Sequence, residues 1–92
     1  MNDWQEFGEA PGASTMTRLY LEKRDPVHNQ QRFYTITITP TLFGSWALIR
    51  EWGRIGQPGT VRETWYDTEA AAQAAGEALQ ERKERRGYRT RT

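Results

Sequence analysis

Residues 32–39, RFYTITIT, set Tyr34, Ile36 and Ile38 on alternate positions against Thr35, Thr37 and Thr39. Successive side chains of an extended chain point to opposite faces, so this run suits a strand with one apolar face and one hydroxyl-bearing face. β-Branched residues at five of these positions favour the same state. Pro40 ends the run. Three other stretches read as strands around it. RLYLEKR (18–24) places Leu19 and Leu21 opposite Tyr20 and Glu22, and SWALIREW (45–52) places Trp46, Leu48, Arg50 and Trp52 opposite Ala47, Ile49 and Glu51. TVRETWY (60–66) closes on two aromatics, Trp65 and Tyr66. The connections DPVHNQQ, TLFG and GRIGQPG are short and rich in breakers, which implies antiparallel neighbours.

After Tyr66 the period changes. Asp67 or Thr68 can cap a helix, and EAAAQAAGEALQERKERR (69–86) is a strong helix former with a stripe of Ala71, Ala75, Ala78 and Leu79. Gly76 either weakens this helix or lets it sit close to the sheet, its charge runs from acidic to basic as the macrodipole prefers, and Gly87 supplies the stop. The expected fold class is α+β, an antiparallel sheet of about four strands packed by one C-terminal helix. Residues 1–15 read as a flexible tail, 16–88 as the folded domain and 89–92 as a disordered end.

Ninety-two residues support one modest core. The absence of cysteine excludes disulfides, thiolate chemistry and cysteine-based metal sites, and points to an intracellular compartment, read as the cytoplasm. There is no apolar run of membrane-spanning length and no signal-peptide pattern at the N-terminus, so no membrane association is expected. The formal charge of +1 conceals a division: residues 1–15 hold Asp3, Glu6 and Glu9 without a cation, and the remainder carries 13 basic against 9 acidic groups, a net of +4. Eleven of the cations are arginine, whose planar fork suits phosphates and stacks on rings. A solvated basic surface explains the same composition. Trp4 and Phe7 are the aromatics that sit oddly in a tail.

The inventory does not support an enzyme. His28 stands in a loop without a serine, cysteine or carboxylate placed to work with it, and the glycines of GRIGQPG lack the lysine and the strand-to-helix setting of a phosphate loop. Glu77, Glu81 and Glu84 are accounted for by pairing with Arg82, Arg85 and Arg86, so neither a metal nor a cofactor is expected. Arg50, Trp52 and Arg54 alternate and so present cation, ring and cation on one face while the strand continues through Gly53. That set can stack on a base or sugar and hold phosphates. In the other reading Trp52 is a core residue and Arg54 a surface ion-pair partner.

EWGRIGQPGTVRETWY, preceded by RFYTITI and followed by an alanine-rich helix ending KERRGY, resembles the WGR domain, the family named for the Trp-Gly-Arg that stands here at 52–54. The resemblance covers roughly residues 17–88. The family occurs beside the catalytic domain of DNA-break-sensing poly(ADP-ribose) polymerases and in short bacterial proteins. It implies a sheet packed by one helix that binds DNA at ends, nicks or 5′-phosphates, with Trp52 against the sugar of a terminal nucleotide, Arg54 beside it and Tyr88 near the DNA. Arg82, Lys83 and Arg86 match the family's basic helix end in character, and Arg50 adds a cation on the strand. Gln31 and Arg32 stand where the polymerases carry an asparagine-lysine pair, keeping hydrogen bonding and charge but not identity. These 92 residues contain no ADP-ribosyl transferase sequence, so a break would not be signalled by that reaction. A non-catalytic monomer binding DNA is expected, with an adaptor that docks a protein partner through the same surface as the alternative.

Overall fold

The structure, a computed structural model, describes residues 17–91. The acidic stretch 1–15, including Trp4 and Phe7, lies outside the described residues. Elements follow in the order β1 (Thr17–Asp25), β2 (Gln30–Pro40), β3 (Trp46–Arg54), β4 (Thr60–Tyr66), α1 (Glu69–Arg85) and β5 (Arg89–Arg91). All neighbours are antiparallel in the sheet order β4-β3-β2-β1-β5, so the threonine-alternating strand is central. The sheet has five strands where sequence reading expects about four. The segment after Tyr88 does not trail off: Arg89, Thr90 and Arg91 pair with Glu22, Leu21 and Tyr20. Three residues bounded by arginines carry too little pattern to announce a strand, and pairing to β1 supplies what periodicity cannot.

Register turns alternation into a core. Leu21 faces Tyr34, which faces Trp52; Leu19 faces Ile36, which faces Arg50; Ile38 faces Leu48. These residues share the face beneath α1, where Leu19, Leu21, Tyr34, Ile36, Ile38 and Leu48 are buried with Ala72, Leu79 and Tyr88. Each large aliphatic side chain so buried contributes about 1.5–3 kcal/mol. The helix starts at Thr68, whose hydroxyl accepts the Ala71 N–H at 3.1 Å. Its buried stripe is Ala72, Gly76, Leu79 and Gln80, with Ala75 half-buried. Ala71 and Ala78 are exposed, so the expected stripe is displaced by about one residue. In a segment this rich in alanine the apolar face is poorly marked, and contact with the sheet decides it.

The other face of the sheet is partly engaged. Tyr20 stacks on Phe33 with centroids 6.4 Å apart, and Thr35 and Ala47 are buried there. Near the 41–45 turn, Phe43 (80% exposed) stacks on Trp65 (50% exposed) at 5.9 Å.

Gly53, the middle residue of Trp-Gly-Arg, has a local steric reason. A Cβ there would lie 3.1 Å from Gly59 Cα, and a Cβ on Gly59 would lie 2.6 Å from the Trp52 carbonyl oxygen and 2.9 Å from Phe33 Cζ. The close approach is therefore between two stretches of backbone, and it closes the β3–β4 connection against Phe33. Gly59→Ala is expected to destabilise the protein by about 1–3 kcal/mol through overpacking, measured as a lower denaturant midpoint with an unchanged slope. An unchanged midpoint would contradict this packing.

Candidate nucleic-acid interface

Trp52 is neither a core residue nor a free plate. Facing Tyr34 across β2 and β3, it stacks on that ring with centroids 5.8 Å apart and planes 17° off parallel, and remains half-buried. Tyr34 is 3% exposed and meets Tyr88 edge-on at 6.2 Å and 72°. Tyr88 arrives there by the way α1 ends. Gly87 takes φ +98, the Tyr88 N–H donates to the Lys83 carbonyl at 3.0 Å and the Gly87 N–H to the Glu84 carbonyl at 3.1 Å. This left-handed helix stop aims the following residue back at the sheet. At 8% exposure Tyr88 supports the stack more than it offers a surface.

Cations frame the three rings. The Arg50 guanidinium lies 5.5 Å from the Trp52 ring centre, and Lys83 Nζ lies 4.6 Å from that of Tyr34 and 5.8 Å from that of Tyr88. Two clefts result. In one, of ≈ 560 Å³, Gln31, Arg32, Trp52, Arg54 and Tyr88 meet. In the other, of ≈ 160 Å³, Arg50, Arg82, Lys83 and Arg86 surround the edge of Tyr34. All nine residues expected at a binding surface thus line two clefts that flank one aromatic stack. The Ile55 N–H donates to the Gln31 carbonyl at 2.9 Å, extending the β2–β3 ladder past Arg54 and holding the first cleft's two walls together.

The charges on this face are arranged against the fold's own interest. Lys23 faces Arg32, which faces Arg54, and Arg50 faces Arg62. Like charges directly opposite in a sheet are destabilising. Among the described residues, ion pairs join Arg24 and Arg91 to Glu22, His28 to Asp25, and Arg85 to Glu81, and none reaches Lys23, Arg32, Arg50, Arg54, Arg62, Arg82, Lys83 or Arg86. Of the helix arginines expected to pair with glutamates, only Arg85 has such a partner among the described residues. Partial burial, then the nearby Arg86, Arg82 and Arg50, hold the Lys83 ammonium below its ordinary pKa. An anion between these groups would relieve all four.

Sequence reading did not select Lys23 and Arg62, which join the surface only through cross-strand register. It also set aside His28, whose Nδ1 lies 2.8 Å from an Asp25 carboxylate oxygen and which lines the larger cleft with Asn29 and Gln30. The positive φ of Asn29 turns the β1–β2 connection toward that cleft. No group of three or more His, Cys, Asp or Glu gathers at metal-binding range among the described residues, and no helix among them is long and apolar enough to cross a membrane.

A five-stranded antiparallel sheet with one helix and a cation-framed aromatic stack defines a small α+β binding module. The family model for the WGR domain matches residues 17–92, and the chain belongs to that family. WGR domains are in general nucleic-acid-binding modules. The chain is 42% identical over 74 residues to the uncharacterized protein y4dW of Sinorhizobium fredii, an alignment covering 80% of this chain and 36% of the relative. The chain therefore spans about a third of that relative's length. No solved structure matches it at a significant level.

The Lys83 environment gives a signed expectation. Unfolded, Lys83 keeps its proton to higher pH than it does folded, so its unfavourable contribution is present at neutral pH and fades as pH rises from the folded pKa toward the ordinary value. Followed by the Lys83 Cε signal in NMR, its pKa should lie below the ordinary lysine value and rise when inorganic phosphate or duplex DNA is added. A pKa indifferent to both would contradict anion binding at this cluster.

Proposed function

We propose that the chain is a non-catalytic DNA-binding module that recognises ends, nicks or 5′-phosphates through Trp52 and Arg54. The observation that carries this reading is the half-buried Trp52, braced on one side by Tyr34 and set between two clefts whose cations have no ion-pair partner among the described residues. A rigid ring with an open portion suits the terminal sugar or base, because a duplex exposes a stacking face only where it ends or is broken. Arg54 and Arg32, side by side across β2 and β3, suit a terminal phosphate, and Gln31 supplies a neutral hydrogen-bonding group beside them. Arg50, Arg82, Lys83 and Arg86 add a second cluster of phosphate-binding groups beside the stack, and Tyr88 keeps the stack in place. The module works as a monomer in the cytoplasm, without a cofactor, in the recognition of DNA damage.

Binding should weaken steeply with salt, because release of counterions from neutralised phosphates dominates. Trp52→Ala should cost about 1–3 kcal/mol of affinity for open ends while the circular dichroism of the sheet persists. Arg54→Ala should weaken binding and lower the salt slope by about one. Fluorescence anisotropy at three salt concentrations measures both. Unchanged affinity of a folded Trp52→Ala protein would overturn the reading, and stoichiometric capture of one protein by a chain that binds no DNA at low salt would replace it with an adaptor docked on the same surface.

A further inference from the structure

The helix leaves one side of the sheet uncovered. Every β4 residue but Tyr66 is exposed, although the strand is fully paired to β3. Beside it, Ala75 and Ala78 are too small to fill the space between α1 and β4. A hollow of ≈ 270 Å³ results, with Leu48 and Leu79 buried in its floor, Ala75 and Ala78 on the helix wall, and Thr64 and Tyr66 on the strand wall. It shares Arg50, Leu79 and Arg82 with the cationic cleft of ≈ 160 Å³, so the two form one groove, apolar at the Tyr66 end and cationic at the Lys83 end. Neither Trp52 nor Arg54 lines it.

We propose that this groove is a second nucleotide site, in which an unpaired nucleobase lies between Ala75, Ala78 and Tyr66 and its phosphate monoester sits among Arg50, Arg82, Lys83 and Arg86. The inference deepens the nucleic-acid reading and rests on it in taking a phosphate-bearing ligand as the relevant anion. Charge complementarity selects the class. Four cations with no carboxylate partner among the described residues, converging on a small cleft, match the double negative charge of a terminal phosphate better than the single charge of a carboxylate or a diester. In the hollow next to it, Leu48, Leu79, Ala75 and Ala78 give a ring apolar atoms to pack on beside Tyr66, while Thr64 and the shared Arg50 and Arg82 supply the polar groups, so a planar base is held mainly by packing, as in sequence-tolerant stacking sites. At a frayed end one strand would meet Trp52 while the displaced nucleotide of the other enters the groove.

The test is a methyl and amide NMR titration of the full chain with deoxyadenosine 5′-monophosphate, inorganic phosphate and deoxyadenosine. The monophosphate should shift the Ala75 and Ala78 methyls, the Tyr66 ring and Lys83 together, and bind about tenfold or more tighter than phosphate alone. Inorganic phosphate should move the Lys83 end only. Ala78→Leu keeps helix propensity at an exposed position and fills the hollow, so it should abolish the advantage of the nucleotide over phosphate while leaving phosphate binding unchanged. Equal affinities for nucleotide and phosphate, or alanine methyls that stay still, would overturn the site. An open-ended duplex run in parallel separates the two claims: Trp52 shifts without alanine methyl shifts would retain end binding and remove the groove, whereas groove shifts with no duplex binding would remove end binding alone.

Discussion

The stack of Trp52 on Tyr34 is the contact on which the rest of the surface depends. It exists because β2 and β3 pair with residue 34 opposite residue 52, a register that also buries Ile36, Ile38 and Leu48 on the same side. A slip of one residue would turn Trp52 and Arg54 to the other face together with half of the core. Core stability and presentation of the tryptophan are thus one constraint. Gly53, Gly59 and Phe33 lock the strand end, and Gly87 returns Tyr88 to brace Tyr34 from the side. The Trp52 ring is therefore held by side chains that are themselves buried, which would limit the ordering it undergoes if it meets a ligand.

Around that stack the charges are placed for a ligand and against the isolated fold. Rows of Lys23, Arg32 and Arg54, and of Arg50 and Arg62, set cation against cation across the strands, while the carboxylates of β3 and β4, Glu51 and Glu63, belong to the opposite face. Partial burial first, and then the same crowding of arginines, depress the Lys83 ammonium. A structural role for these residues would have favoured opposite charges in register. Unrelieved repulsion on one face, next to an exposed aromatic edge, has a physical purpose when the partner is a polyanion, and this separation by face lets a chain of modest net charge, +1 overall, present a strongly basic surface.

Much of this was legible in the sequence. Alternation located β1, β2 and β3, the switch of period located α1, and the spacing of Arg50, Trp52 and Arg54 put them on one face. The family resemblance, rather than periodicity, singled out Tyr88 and the basic helix end. What escaped depends on contacts between elements. β5 is too short to have a period of its own, the alanine stripe of α1 could be rotated by a residue without changing its hydrophobicity, and Lys23 and Arg62 become neighbours of Arg32 and Arg50 only when turn lengths fix the register. His28 meets Asp25 and the cleft it lines only through the β1–β2 turn, and the stack of Phe43 on Trp65 joins the β2–β3 connection to β4, segments that say nothing of each other in sequence.

The central claim is that Trp52 reads an exposed nucleic-acid end. It is tested most directly by following the Trp52 indole N–H, Arg54 and Tyr88 in NMR while adding a short duplex with a 5′-phosphorylated open end, and separately a closed hairpin of the same stem, at low and moderate salt. The account predicts shifts at all three residues for the open end and none beyond general basic-surface effects for the hairpin. Equal shifts with both ligands, or no shift at Trp52 with either, would contradict it.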